Sequence, residues 1–364
     1  MPIYMDVHIV PGVKAKDVAE AHRKDLLHQE EHGCKCMTYW IDEQRENIFC
    51  LIEAPEKSAV EEMHRRSHGL IPNRIIEVSD TLVESFLGRI YDPTDAEVTS
   101  DGLKVFSEPS FRTLLVTKIT DPILLKHQIG AEKASEILYN YCNTIRKNIT
   151  EKGGREVEHE GSGFIVSFAS ASKAVACALV IRKEMQNSDE LNFKISLNAG
   201  MPIGKSNEMF GDTIQFAVSL CTIADTRKIA IASSVKEFVS KDFFQNDEKN
   251  FLCLSPGDEN LLGLLFNNLE KHWQDTDFDV DEYSRVVAMS TSQLYRKTIQ
   301  LTGLSPNILL KDFRLEKAKE LMKKKRHSIA QITYHTGFTS ASYFTKCFKK
   351  KYGLLPITYL ELLD

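Results

Sequence analysis

Six of the eleven histidines (His8, His22, His28, His32, His64, His68) and three of the eight cysteines (Cys34, Cys36, Cys50) fall within the first 68 of 364 residues. His28/His32 and His64/His68 stand four apart, a spacing that turns both imidazoles to one face of a helix. Cys34 and Cys36 stand two apart, which does the same on a strand. Imidazole and thiolate together suit zinc, nickel or copper rather than magnesium or calcium. No Cys-x-x-Cys spacing fixes a closed zinc site. The same residues also read as solvated helix histidines beside small buried thiols, and the sequence leaves both readings open.

At the other end of the chain the chemistry is carried by charge. Residues 281–364 hold 15 Lys and Arg against 7 Asp and Glu, a net of +8, while the rest, with 31 against 44, carries −13. A basic end on an acidic body is the footprint of a nucleic-acid module, because each phosphate contact releases a counterion. Taken alone, the runs KKKR (323–326) and KKK (349–351) would be solvated helix ends. They flank two helix-turn-helix patterns. In DEYSRVVAMSTSQLYRKTIQLTG, Ser290 and Gln293 form a Ser-x-x-Gln capping box, and Val286, Val287, Met289 and Leu294 give helical apolar spacing. In SIAQITYHTGFTSASYFTKCFKKKYG, Ser328 and Gln331 repeat the box and Gly337 supplies the tight turn before a second helix suited to reading DNA.

The tandem pattern, with RLEKAKELM between its halves and GF...SYFTKCFKKKYGLLP at its end, resembles the AraC-type DNA-binding domain across both units and every spacer. The resemblance implies an all-α domain that binds double-stranded DNA, with two helices in successive major grooves roughly 34 Å apart. By position, Thr291, Ser292, Gln293, Arg296 and Lys297 would face one groove, and Thr339, Ser340, Ala341, Thr345 and Lys346 the next. Arg pairs bidentately with guanine and Gln with adenine, which makes Arg296 and Gln293 the best direct readers. Lys349 and Lys350 would touch phosphates. Leu355 and Leu360 depart from the family's usual small polar and basic residues.

The elements that must position the histidines alternate cleanly. In IYMDVHIV, Ile3, Met5, Val7 and Ile9 share one face and Tyr4, Asp6 and His8 the other, as in a half-buried strand. A helix ending at Gly33, two strands (CMTYWI, NIFCLIEA), a helix (KSAVEEMHRRSHG) and a strand (NRIIEV) follow. This βαββαβ order predicts an α+β ferredoxin-like domain over residues 1–88, with an open sheet face expected to meet a second copy. The stretch CMTYWID...FCLIEAPEKSAVEEMHRRSHGLIPNRIIEV is similar to small ferredoxin-like bacterial proteins, some of which bind nickel. On that likeness the expected ligands of a nickel or zinc ion are His8, His22, Cys36, His64 and His68, with His28 and His32 solvated.

Between a linker at 89–109 and another at 246–279, residues 110–245 read as an α/β domain. Its order of elements resembles the class III adenylyl/guanylyl cyclase homology domain. Two metal-holding carboxylates are needed there for in-line attack on a phosphate. Lys118 and Ser162 occupy their places, Gln215 and Ser219 those of the transition-state Asn and Arg, and Glu158 that of the base-selecting Lys. Asp121, three residues past Lys118, is expected not to reach the same site. Without those charges phosphoryl transfer loses its electrostatic stabilisation, so no enzyme activity is expected.

Length and a composition of 42% hydrophobic and 27% charged residues fit a multidomain chain. No apolar run approaches the roughly 20 residues of a membrane span, the start lacks a signal-peptide layout, and the scattered cysteines read as reduced thiols. A cytoplasmic homodimer is expected, and nothing identifies a small effector. The favoured reading is an AraC-type transcriptional regulator with sensory amino-terminal domains. The alternatives are a nucleotidyl cyclase with regulatory flanks, which would need Asp restored at 118 and 162, and a metal-buffering protein.

Overall fold

The computed structural model of the chain describes residues 1–100, 102–160, 163–185, 189–224, 228–239 and 248–363. The first domain follows the βαββαβ order: β1 (Ile3–Ile9), α1 (Ala15–His28), β2 (Lys35–Asp42), β3 (Asn47–Glu53), α2 (Lys57–Ser67) and β4 (Arg74–Val78). Its antiparallel sheet runs β2-β3-β1-β4, so β1 is central and its two faces divide the domain. Tyr4 meets Val60 and Met63 of α2 on one face. On the other, Met5 and Val7 join Trp40, Phe49, Leu51 and Ile76.

That second face is not open. It packs on Val83, Phe86 and Leu87 of α3 (Asp80–Leu87), and on Leu114, Ile203, Met209 and Phe210 of the middle domain. Arg74 fastens the joint by donating to Lys205 O at 2.7 Å and Asn207 Oδ1 at 2.8 Å. The surface expected to meet a second copy is therefore covered by the same chain, because burying this much apolar surface within the chain is favourable.

Residues 89–109, expected as a linker, lie on the first domain. A short hairpin of β5 (Glu97–Val98) and β6 (Lys104–Val105) buries Leu103 there. Phe106 stacks on Tyr39 at 4.1 Å between centroids, and the Arg89 guanidinium lies 4.5 Å from the Trp40 ring.

The middle domain comprises β7 (Arg112–Lys118), α4 (Pro122–Ile129), α5 (Ala131–Glu151), β8 (Arg155–Glu160), β9 (Gly163–Phe168), α6 (Ala171–Glu184), β10 (Lys194–Gly200), α7 (Gly211–Ile223), β11 (Ile229–Ile231), α8 (Ser233–Lys236) and β12 (Phe251–Cys253). Its mixed sheet runs β12-β11-β10-β7-β9-β8, with β10, β11 and β12 parallel. One face is covered by α5 and α6 through Tyr141, Ile145, Ala174 and Ile181, the other by α7 through Ala217 and Cys221 against Val116.

The second expected linker, 246–279, supplies β12 and α9 (Pro256–His272). Leu262, Leu265, Phe266 and Leu269 of α9 form one stripe at i, i+3, i+4, i+7, and it is buried between Leu220 and Ala224 at the end of α7 and the first helix-turn-helix unit.

The last domain is all helical: α10 (Val280–Val286), α11 (Thr291–Thr302), α12 (Pro306–Lys323), α13 (Ile329–His335), α14 (Ala341–Tyr352) and α15 (Pro356–Glu361). Both capping boxes form as expected. The two turns use left-handed residues, Ala288 (φ 53°) and Gly337 (φ 74°). A Cβ on Gly337 would lie 2.5 Å from Trp273 O, so only glycine fits there. Among the described residues no helix is long and apolar enough to cross a membrane.

Candidate metal centre and nucleic-acid interface

Strand alternation points Asp6 and His8 from the same face of β1, and the register of β3 sets Cys50 directly opposite Asp6. From above, α2 supplies His64 and its C-cap residue supplies His68, and α1 supplies Asp25. Two overlapping donor sets result, Asp6/His8/Cys50/His64 and Asp25/His64/His68, each with its ligand atoms within 4.8 Å of one another. His64 belongs to both. Its Nε2 lies 2.9 Å from Asp6 Oδ2, and its Nδ1 lies 3.2 Å from Asp25 Oδ1 and 3.0 Å from His68 Nε2.

The electrostatics of the cluster are those of a buried cation between two carboxylates. Burial alone would depress His64, but the Asp6 charge and hydrogen bonds to Asp25 and Asp6 raise it to about 10. Burial opposes ionisation of Asp25, yet hydrogen bonds to His64 and His68 hold it at about 2. Burial, then Asp6 and Asp25, push the Cys50 thiol well up.

A transition-metal ion fits these residues. His8 is only 3% exposed, yet neither ring nitrogen has a hydrogen-bond partner, and Asp6 Oδ1 is also unpartnered. His8 Nε2 stands 3.3 Å from that oxygen without hydrogen-bond geometry. Leaving such groups buried and unpaired is costly unless a further ligand bond satisfies them. Two imidazoles, a carboxylate and a thiol are a donor set for nickel or zinc.

Of the five expected ligands, the structure brings together His8, His64 and His68. His22 stands apart, with Nε2 3.5 Å from Asp92 and its ring beside Tyr39. Cys36 turns to Met63, sulfur to sulfur at 3.6 Å, and burial pushes its thiol up. Asp6, Asp25 and Cys50 replace them. Asp6 was visible on the polar face of β1 with His8. Cys50 belongs to the clustered cysteines but was not among the expected ligands, and nothing local in the sequence marks Asp25.

In the last domain, α11 buries Leu294 and Thr298 and exposes Ser292, Gln293, Arg296 and Lys297, with Thr291 half-buried. Likewise α14 buries Phe344, Cys347 and Phe348 and exposes Ala341, Lys346, Lys349 and Lys350, with Thr345 half-buried and Thr339 and Ser340 exposed just before it. Two residues already have local work. Gln293 Oε1 accepts from Ser290 N at 3.1 Å, and Ser340 caps α14. Lys351 turns inward, to Asp312 and Glu316.

In the middle domain Lys118 ends β7 and lines a cleft roofed by α12. Gln215 and Ser219 line the same cleft, and Glu158 lines a smaller adjoining one. Ser162 lies outside the described residues. Asp121, expected not to reach this place, does line the cleft, because the chain turns at once into α4. Its carboxylate is nonetheless engaged, accepting from Ile123 N at 3.0 Å and Tyr359 Oη at 2.9 Å and lying 3.4 Å from Lys319 Nζ.

Residues 283–361 match the family model described as a helix-turn-helix domain. Residues 4–78 match the model of the nickel responsive protein SCO4226-like family. Among individual proteins, the HTH-type transcriptional activator RhaS of Escherichia coli O157:H7 is 33% identical over 95 residues, 26% of this chain and 34% of RhaS. The crystal structure of SCO4226 from Streptomyces coelicolor A3(2) is 31% identical, covering 21% of this chain and 94% of that one, at a TM-score of 0.20. The guanylyl cyclase Cya2 is 19% identical, covering 36% of this chain and 79% of that one, at a TM-score of 0.32. The chain spans 34% or less of the length of the first three curated relatives it matches.

Proposed function

We propose that the chain is a sequence-specific DNA-binding transcriptional regulator, cytoplasmic, whose first domain binds nickel or zinc and whose middle domain is a scaffold rather than an enzyme. The observation that carries this reading is the pair of capped helices, α11 and α14, that present Ser292, Gln293, Arg296 and Lys297 on one side and Lys346, Lys349 and Lys350 on the other to solvent. Arginine and glutamine read base edges in a major groove, and lysines neutralise phosphates.

Support for a metal-responsive arm comes from β1. Its polar face carries Asp6 and His8; its apolar face carries Met5 and Val7 against Ile203, Met209 and Phe210. Phe210 stands at the start of α7, whose other end is built into the core of the first reading unit. A bound metal would neutralise the carboxylates around His64, and β1 would carry any resulting shift toward α7. Lys118 supports the absence of catalysis, since it puts positive charge where two-metal chemistry needs a carboxylate. Pairing of two chains must use surfaces other than the first domain's sheet, which the middle domain covers.

The test is selection of the full chain on a random DNA library, followed by anisotropy titration of the enriched duplex at fixed salt with and without Ni²⁺ or Zn²⁺. An enriched sequence, a falling affinity with rising salt and a metal-dependent change of about 5–150-fold are expected. No enrichment overturns the regulator reading; affinity unmoved by either metal overturns its metal-responsive arm.

A further inference from the structure

We propose that the first domain holds two divalent metal ions, one on each side of His64, with the His64 imidazole as the bridge between them. The inference rests on the reading that this domain binds a transition metal, and it fixes how many ions the domain takes. His64 is wholly buried. Its two ring nitrogens look into different donor sets, Nε2 into the one with Asp6, His8 and Cys50, and Nδ1 into the one with Asp25 and His68. The lone pairs of the two nitrogens diverge, so an ion bonded to one leaves the other side of the ring vacant.

The Nδ1 side has the shape of a coordination face. His64 Nδ1, His68 Nε2 and Asp25 Oδ1 form a triangle with sides of 3.0, 3.2 and 3.3 Å. Donor atoms about 2.1 Å from one ion stand about 3.0 Å apart at right angles and about 3.4 Å apart in a tetrahedron. Hydrogen bonds alone do not satisfy this triangle. Each imidazole nitrogen brings at most one hydrogen and a carboxylate brings none, so one side always sets two lone pairs or two hydrogens against each other. An ion at the centre accepts all three lone pairs. His68 Nδ1 accepts from Leu70 N at 3.2 Å, which puts the His68 hydrogen on Nε2 in the metal-free chain. When Nε2 takes the ion, that hydrogen passes to Nδ1, and the amide of the exposed Leu70 turns to water.

The Nε2 side offers the unpartnered ring nitrogens of His8 and the free oxygen of Asp6, and a coordinated thiol such as Cys50 loses its proton outright. Charge then counts ions. One divalent ion between the Asp6 carboxylate and the Cys50 thiolate is already neutral, which leaves the Asp25 carboxylate, 3% exposed, charged beside it with only imidazole hydrogens as partners. A second divalent ion held by Asp25 and by His64 as imidazolate is neutral too. Both ring hydrogens of His64 leave to solvent in this arrangement. Every buried charge of the cluster is then matched, as buried charges must be.

The test is calorimetric titration of the metal-stripped full chain with Ni²⁺, elemental analysis of the gel-filtered complex, and the electron paramagnetic resonance spectrum of the same chain loaded with Cu²⁺. Two nickel ions per chain are expected in the parent, one in Asp25→Ala and two in His28→Ala. Two Cu²⁺ spins couple through a shared imidazole, so the ordinary mononuclear signal should vanish at the second equivalent in the parent and persist in Asp25→Ala. Should Asp25→Ala fail to fold, His68→Ala carries the same expectation. One nickel ion per chain in the parent, or two copper ions with uncoupled signals, overturns the proposal and leaves the metal-binding reading standing. Loss of the second ion in His28→Ala rather than in Asp25→Ala also overturns it. No uptake of either metal overturns both.

Discussion

Tyr359, in the last helix of the chain, donates its hydroxyl to Asp121 Oδ2 of the middle domain at 2.9 Å, across 238 positions of sequence. The ammonium of Lys319, on α12, lies 3.4 Å from the same oxygen. One carboxylate therefore binds both the helix that joins the two reading units and the helix that ends the second. Hydrogen bonds to charged groups contribute about 1.5–3 kcal/mol. Tyr359→Phe should lower the stability of the full chain by about 1–2 kcal/mol, read as a shift of the urea midpoint. Asp121→Ala should cost more, since it also removes the cap on Ile123 N. An unmoved midpoint in both would show that this contact does not hold the domains together.

Glu316 gives the same joint a pH dependence. Burial would raise its carboxyl, but Lys319, Lys118 and Lys351 hold it well below the ordinary carboxylate range. A depressed carboxylate contributes stability that is full above its unfolded value of about 4.3 and fades as pH falls below it. Stability measured by denaturation should therefore decline from about pH 4 downward. In Glu316→Gln that decline should be shallower, although other carboxylates keep it from vanishing. Parallel acid limbs for parent and variant would remove Glu316 from the joint.

Local features were the legible ones. The Ser290–Gln293 and Ser328–Gln331 boxes are set within four residues, and the alternation of β1 shows its two faces without reference to the rest of the chain. What lay hidden depends on which distant surfaces meet. Met5 and Val7 alternate in the same way whether a second copy or the middle domain covers them. The stripe of α9 runs straight into the acidic stretch HWQDTDFDVDE, whose composition is that of a linker. Asp6 and Cys50 meet only through strand register, and Asp25 only through the packing of α1 beside α2. The candidate metal donors therefore divide into the clustered histidines, legible in the sequence, and Asp25 and Cys50, brought in by tertiary pairing.

That division can be tested by substitution in the first domain. His64 is shared by both donor sets, so His64→Ala should abolish nickel or zinc uptake in calorimetry. His8→Ala and Cys50→Ala should weaken it, because each removes one donor from the set around Asp6. His28→Ala and Cys36→Ala should leave it unchanged, since neither residue belongs to either set. Loss of binding in Cys36→Ala with retention in Cys50→Ala would return the site to the ligands expected from sequence.

The reading helices divide in a comparable way. Arg296 and Lys350 are both exposed, but they belong to different kinds of contact. A bidentate arginine at a base edge discriminates by about 1–3 kcal/mol, and a lysine on a phosphate adds affinity without regard to sequence. Arg296→Ala should therefore cost about that amount on the preferred duplex and much less on one altered at a single base pair. Lys350→Ala should weaken every duplex alike and reduce the slope of log affinity against log salt by about one. Gln293 separates from both. Its Oε1 already accepts from Ser290 N, so Gln293→Ala should lower helix stability by the loss of half a capping box while changing base preference less than Arg296→Ala does. Equal losses for Arg296→Ala and Lys350→Ala on all duplexes would mean that α11 does not enter a groove.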